Sequence, residues 1–401
     1  MKSSMIKTVA EEQREFLFSA DSDLERKDLL SLPDMSAYAL IISGIRRCGK
    51  STLLKQFLKN RHKEAFFFNF EDVRLYDFSI DDFQILDRII NNSGEKTLFF
   101  DEIQIVKGWE LFVRQKLEQG FQVVLSGSNA NLLSRELGTK LTGRHITREL
   151  YPFSYSEFCR FKNVEKNTDS ALEYLKTGGF PEVVKSGSNE ILQFLIEDIL
   201  NRDIAVRYGV REVSSLKRLC SFLLSNAGNL VSPSKLTNAI GIKSASTVLD
   251  YFSYFEACYL LNLMPKFAFS AKAQMLAPKK LYINDTGLIK IGSTSFSENS
   301  GHLPENVVFY HLLRKSKELF YFNENGRECD FVRLEKGKCK ELVQVCWELD
   351  ADNEGREVGG LLDAMNFFKL KTGTIVTLNT NDLIKKEGKT INVVAASEFL
   401  E

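Results

Sequence analysis

The chain has 401 residues, of which 44% are hydrophobic and 26% charged, and its 53 basic and 53 acidic side chains leave no net charge. That length supports two or three domains, each with its own core. The composition excludes global disorder, collagen-like repeats and a supercharged surface, so any nucleic-acid surface has to be a local patch.

The seven cysteines (Cys48, Cys159, Cys220, Cys258, Cys329, Cys339, Cys346) are scattered without a CxxC pair, and the four histidines do not cluster. This argues against a zinc site or a disulfide framework. The N-terminus lacks a signal-peptide apolar region, and no stretch approaches the ~18–20 apolar residues that span a bilayer. The expectation is a cytoplasmic protein without a membrane partner.

In chain order, the first strong signal is the apolar segment Tyr38 to Ile42, which reads as a buried strand. It runs into Gly44-Ile45-Arg46-Arg47-Cys48-Gly49-Lys50-Ser51 and then a helical pattern from Thr52 to Leu58. This is G-x-x-x-x-G-K-S in the context it requires. The glycines let backbone N–H groups wrap phosphates, and the helix N-terminus adds partial positive charge at the same point. Lys50 is placed to reach the β- and γ-phosphates, and the Ser51 hydroxyl to ligate Mg²⁺.

A second apolar strand, Thr97 to Phe100, ends in Asp101-Glu102, where Asp101 would hold Mg²⁺ through water and Glu102 would polarise the attacking water. A third, Phe121 to Leu125, ends in Ser126-Gly127-Ser128-Asn129. Ser128 and Asn129 are candidates to sense the γ-phosphate; the same residues also suit a plain strand-end turn. A helix-like segment over 131–137 and Leu141-Thr142-Gly143-Arg144 precede an apparent strand, His145 to Leu150. Arg144 is a candidate arginine finger, with Arg148 the weaker one and a surface role the alternative for both.

These residues resemble the AAA+ superfamily. More narrowly, they resemble prokaryotic two-part ATPases whose AAA domain precedes a C-terminal domain of unknown function. Leu150-Tyr-Pro-Phe-Ser154 and Gly178-Gly-Phe-Pro-Glu182 extend the resemblance. It implies an α/β fold with a five-stranded parallel sheet and the nucleotide at the C-terminal strand ends. It also implies ATP as the nucleotide, a helical lid over 151–210, and a segment Thr8 to Phe18 near the adenine.

Residues 211–300 carry 10 basic and 5 acidic side chains, the one basic block of the chain. Helical patterns at Ser215 to Ser225, Ser232 to Ile240 and Ser244 to Ala257, followed by the apolar run Cys258 to Met264, give the order of a winged helix-turn-helix over 211–280. Lys243, Ser244, Ser246, Thr247, Asp250 and Ser253 would be exposed on its third helix, and Lys266, Lys272, Lys279 and Lys280 would meet phosphates beyond it. The third helix has no arginine and carries Asp250, which duplex phosphate repels. A unit that packs on a protein is therefore the competing reading.

Residues 281–401 resemble a small restriction-endonuclease-like α/β domain, with Glu305 on a helix and Asp330 on a strand. Where a nuclease would carry Glu-x-Lys, this chain has Gln344-Val345-Cys346, and Lys340 lies ~20 Å along the strand from Cys346. Without a lysine to support the attacking water, this domain is expected to be inactive.

The sequence therefore predicts an AAA+ ATPase core over 1–150, a lid over 151–210, a winged helix over 211–280 and an inactive nuclease-like domain over 281–401. Its expected function is Mg²⁺-dependent ATP hydrolysis coupled to binding of double-stranded DNA or another target. The alternatives are a nucleotide-dependent protein-interaction switch and an ATP-dependent nuclease. A finger acting across subunits would need an oligomer; a switch works as a monomer.

Overall fold

The computed structural model describes residues 1–19, 24–33, 38–129, 144–292, 302–324 and 326–401, apart from the side chain of Asn238. The helix expected over 131–137 and Leu141 to Gly143 lie outside the described residues. The chain divides into two compact units, one formed by residues 1–151 with Ala257–Tyr259, the other by 152–256 with 260–401.

In the first unit, β1 (Ala39–Ser43), β2 (Phe66–Asn69), β3 (Thr97–Asp101), β4 (Gln122–Gly127) and β5 (His145–Glu149) form one sheet in the order β2-β3-β4-β1-β5. Every pairing is parallel. β1 is buried along its whole length, as the apolar run Ala39-Leu40-Ile41-Ile42 demands of a strand covered on both faces.

Helix α1 (Ser3–Ser19) buries Ile6, Val9, Ala10 and Leu17, a helical spacing, and packs on β2. Phenylalanines fill the core on that face; Phe83 and Phe112 stack with ring centroids 4.4 Å apart, and Phe70 meets Phe100 at 5.8 Å. Helix α2 (Lys50–Arg61) follows the loop after β1 and buries Leu53, Leu54, Phe57 and Leu58.

The second unit opens with helices. In α3 (Tyr155–Lys162) the Ser154 hydroxyl accepts from the Glu157 N–H while the Glu157 carboxylate accepts from the Ser154 N–H, a reciprocal N-terminal cap. Further on, α4 (Val213–Leu224), α5 (Pro233–Ile240) and α6 (Ala245–Ala257) accompany an antiparallel three-stranded sheet. Its strands β6 (Leu230–Val231), β7 (Leu261–Met264) and β8 (Lys279–Ile283) run in the order β6-β8-β7.

Helix α7 (His302–Lys315) then leads to a six-stranded mixed sheet in the order β13-β14-β12-β11-β10-β9. Its strands are β9 (Leu319–Glu324), β10 (Arg327–Glu335), β11 (Lys338–Val345), β12 (Thr372–Thr377), β13 (Asp382–Lys386) and β14 (Lys389–Ala395). Helix α8 (Glu354–Phe368) lies on β10 and β11, and its Leu361 and Met365 join Val332, Leu342 and Ile375 in one core. Among the described residues no helix is long and apolar enough to cross a membrane.

The approach of α8 to the sheet depends on Gly360, where a Cβ would stand 2.1 Å from the carbonyl oxygen of Glu328 on β10. Overpacking at such a contact costs about 1–3 kcal/mol because backbone must move. Gly360→Ala is expected to lower the stability of the second unit by about that much in urea unfolding, whereas Gly359→Ala, with open space at its Cβ, is expected to raise it by up to about 1 kcal/mol because alanine is the better helix former.

Candidate nucleotide site

Parallel pairing brings the C-terminal ends of β1, β3 and β4 to one edge of the sheet. β4 lies between the other two, with Gly127 opposite Ser43 and Leu125 opposite Phe100. Residues leaving β4 therefore emerge between the loop after β1 and the acidic pair after β3.

The loop after β1 is built from left-handed backbone. Gly44 has φ +155° and Gly49 φ +100°, while Arg47 takes φ +64°. A Cβ on Gly44 would lie 2.1 Å from the carbonyl oxygen of Leu150, so only glycine lets the chain turn there. The Cys48 thiol is buried and points at the same carbonyl, 3.4 Å away, and burial pushes its pKa up. Ile45 is buried, Arg46 donates to Glu71 at 3.1 Å, Ser51 is exposed and Thr52 half-buried. The Lys50 ammonium bonds the carbonyls of Gly44 (3.1 Å) and Ile45 (3.0 Å), at the centre of the loop.

Arg26 escaped the sequence analysis. It is 1% exposed, and its guanidinium donates to the carbonyls of Cys48 and Tyr151, both at 2.8 Å. Its own N–H donates to Gln56 of α2 at 3.1 Å. One side chain thus ties the phosphate-loop backbone to the chain leaving β5. In sequence it sits in a charged stretch, Asp23-Leu-Glu-Arg-Lys-Asp28, that reads as solvated surface.

At the end of β3, Asp101 is buried and accepts from the Ser126 hydroxyl; Glu102 follows in left-handed backbone, φ +53°. Gln104 donates to the Glu102 carboxylate. Burial raises the Glu102 pKa above 4.5, with Asp101 adding to the shift while Lys50 and Arg46 oppose it. These side chains therefore act on one another electrostatically, as an acid pair and a lysine at one site should. The sequence does not single out Ser126 from its neighbours, because alternation along a strand of unknown register does not show which hydroxyl turns toward Asp101.

Ser128 and Asn129 are both buried. Among the described residues, the Ser128 hydroxyl has no hydrogen-bond partner, an arrangement that suits a ligand-facing group. Arg144 is exposed, and its carbonyl accepts from Ala39 at the start of β1. It thus lies about 13 Å, the length of the strand, from the phosphate-loop end of β1, and Arg148 is exposed too. Neither side chain joins the cluster of Lys50, Asp101 and Glu102.

The residues present suit a nucleotide with Mg²⁺. The loop offers its N–H groups and Lys50, the Ser128 hydroxyl just beyond β4 is buried and unpartnered among the described residues, and Ser51 and Asp101 are oxygen donors of the kind Mg²⁺ takes.

In the second unit, Lys243, Ser246, Asp250 and Ser253 are exposed on or beside α6 as expected, whereas Ser244 and Thr247 are half-buried. Lys272 is exposed, and Lys266 and Lys279 are half-buried. Lys280 is a correction. It is buried and bonded to Glu305 and Asp330, so it is not on a surface that meets phosphates, and it brings a lysine to those two carboxylates. It arrives from β8, fifty residues before Asp330, where motif spacing does not look.

Arg26→Ala would strand two buried carbonyls. It is expected to cost about 3 kcal/mol and to weaken nucleotide affinity, checked by chemical unfolding and by equilibrium binding of a fluorescent ATP analogue. Arg26→Lys, unable to bridge both carbonyls, is expected to restore only part of either.

Residues 36–159 match the family described as AAA domain, and residues 168–294 match Domain of unknown function (DUF8612). An uncharacterized protein of Methanocaldococcus jannaschii is 34% identical over 367 residues, spanning 85% of this chain and 82% of its own. One of Haemophilus influenzae is 32% identical over 351 residues, spanning 82% of this chain and 87% of its own. The structure of AMPPCP-bound DnaA from Aquifex aeolicus aligns over 57% of this chain and 85% of its own, at 15% identity and a TM-score of 0.28. The chain carries an AAA domain and belongs to the same protein family as the Methanocaldococcus and Haemophilus proteins.

Proposed function

We propose that this protein binds ATP with Mg²⁺ and hydrolyses it, and that its nucleotide state governs a target-binding module over 211–280. The observation that carries the reading is the convergence of Lys50, Asp101, Glu102 and the unpartnered Ser128 hydroxyl at adjacent parallel strand ends.

The chain's own groups divide the work. Loop N–H groups from Gly44 to Ser51 and the start of α2 would hold the phosphates, and Lys50 would exchange its carbonyl acceptors for charged phosphate oxygens, which bind it more strongly. Ser51 and Asp101 would hold Mg²⁺, which supplies charge neutralisation on the phosphates. Glu102, freed from Gln104, would accept a proton from the attacking water, and Ser128 and Asn129 would contact the γ-phosphate. Arg144, displaced along β1, suits a role at a neighbouring subunit's site rather than its own, which makes an oligomer part of this reading.

For the target, duplex DNA is the first reading, on the basic balance of 211–300. A protein partner is the second, favoured by the exposure of Leu249 (54%) and Asp250 on α6 and by the loss of Lys280 to internal ion pairs. We read the 281–401 domain as lacking nuclease activity.

Steady-state hydrolysis tests the core: Lys50→Ala and Glu102→Gln are each expected to lower kcat by at least about 100-fold, and unchanged turnover in either would sink the assignment. Because Glu102 must be ionised to act as base and its pKa lies above 4.5, activity is expected to fall with decreasing pH through that raised value rather than through the ordinary Glu range. DNA binding is checked by the salt dependence of duplex affinity; a flat response leaves the protein-partner reading.

A further inference from the structure

A cleft of about 1160 Å³ in the second unit is lined by Lys280, Glu305, Glu328, Asp330, Gln344 and Glu357, among others. Three elements meet at its floor. Lys280 comes from β8, Glu305 from the first turn of α7, and Glu328 and Asp330 from β10. The Lys280 ammonium lies 2.8 Å from Glu305, 2.6 Å from Glu328 and 2.7 Å from Asp330. Three carboxylates therefore converge on one nitrogen, one acceptor for each of the three N–H donors an ammonium carries.

Further hydrogen bonds hold these carboxylates in place. The second Asp330 oxygen accepts from the Val345 N–H at 2.9 Å, and Tyr282 donates to Glu305 at 2.6 Å. Gln344 accepts from the Asp330 N–H at 3.1 Å and donates to Glu357 at 2.6 Å. Gln344 is thus committed to a neutral bridge where a carboxylate ligand would have been expected.

A nuclease-like domain implies a divalent cation on Glu305 and Asp330, and these residues do not fit one. Mg²⁺ takes carboxylate oxygens at about 2.0–2.1 Å in an octahedral shell, and that position is filled by a nitrogen at hydrogen-bond distance. Among the described residues no group of three Asp, Glu, His or Cys side chains has a metal-holding arrangement. We infer that the Lys280 ammonium is the resident cation of this carboxylate cluster and keeps divalent metal out of it. Three carboxylates against one ammonium leave surplus negative charge. Removing the ammonium without the carboxylates therefore creates a demand for a cation that a divalent ion can meet.

The inference concerns the second unit and stands whether or not the first hydrolyses ATP. It deepens the reading of 281–401 as inactive, but fails separately from it: plasmid cleavage by the wild type would sink that reading, whereas Mn²⁺ uptake decides this one. The experiment is Mn²⁺ titration of the nucleotide-free full-length protein, free ion being read by electron paramagnetic resonance. Wild type and Asp330→Asn are expected to take up the same amount. Lys280→Ala is expected to take up one further equivalent per chain, lost again in Lys280→Ala/Asp330→Asn. Lys280→Met keeps most of the buried stem and serves if the alanine variant unfolds; Mn²⁺ restoring a cooperative melt to either variant counts as uptake. One equivalent on the wild type that Asp330→Asn abolishes overturns the inference, as does a failure of Mn²⁺ both to bind and to restore either lysine variant.

Discussion

The nucleotide site depends on one steric constraint at the end of β1. The chain must turn out of a fully buried strand directly beneath the Leu150 carbonyl, and the space there admits hydrogen but not a Cβ. Given that turn, the following backbone can curl with its N–H groups inward and start α2 at Lys50. Parallel pairing to β4, and of β4 to β3, then sets the acidic pair and the Ser128 hydroxyl along the same edge. Arg26 ties the loop to the chain leaving β5 by donating to the Cys48 and Tyr151 carbonyls.

Both units solve the problem of a buried charge by giving it several partners. Arg26 bonds two backbone carbonyls and has the Asp28 carboxylate 3.8 Å away, and Lys280 is held by three carboxylates. The two differ in consequence. Arg26 leaves the phosphate loop free to receive an anion, while Lys280 consumes the ligands a cation would use. Burial of such a cation is tolerable only when it is fully paired, and removing one partner from such a pair costs several kcal/mol. Lys280 therefore also pins β8 of the three-stranded sheet to β10 of the six-stranded one.

The AAA domain is legible because its signals are local. A strand, a glycine-bracketed loop, Lys-Ser and a helix occupy one short continuous stretch, and period and composition place each of them without reference to the rest of the chain. Asp101 and Glu102 were legible for a similar reason, as acids that end an apolar strand. Arg26 and Ser126 were not. Each acts on a residue more than twenty positions away, and only the fold brings the partners together.

The sequence by itself determined the segments: which runs are buried strands, where glycines let the chain turn tightly, and which residues can wrap phosphate. These follow from hydrophobic period and from the steric freedom of glycine, which are properties of a short stretch of chain. Tertiary structure alone decided which charges meet. Coulombic and hydrogen-bond energies depend on distance in space, so sequence spacing could set aside Lys340 but could not identify Lys280, fifty residues before Asp330. The same dependence sets where Arg144 stands, since the parallel register of β5 on β1 puts the start of both strands at the end of the sheet opposite the phosphate loop.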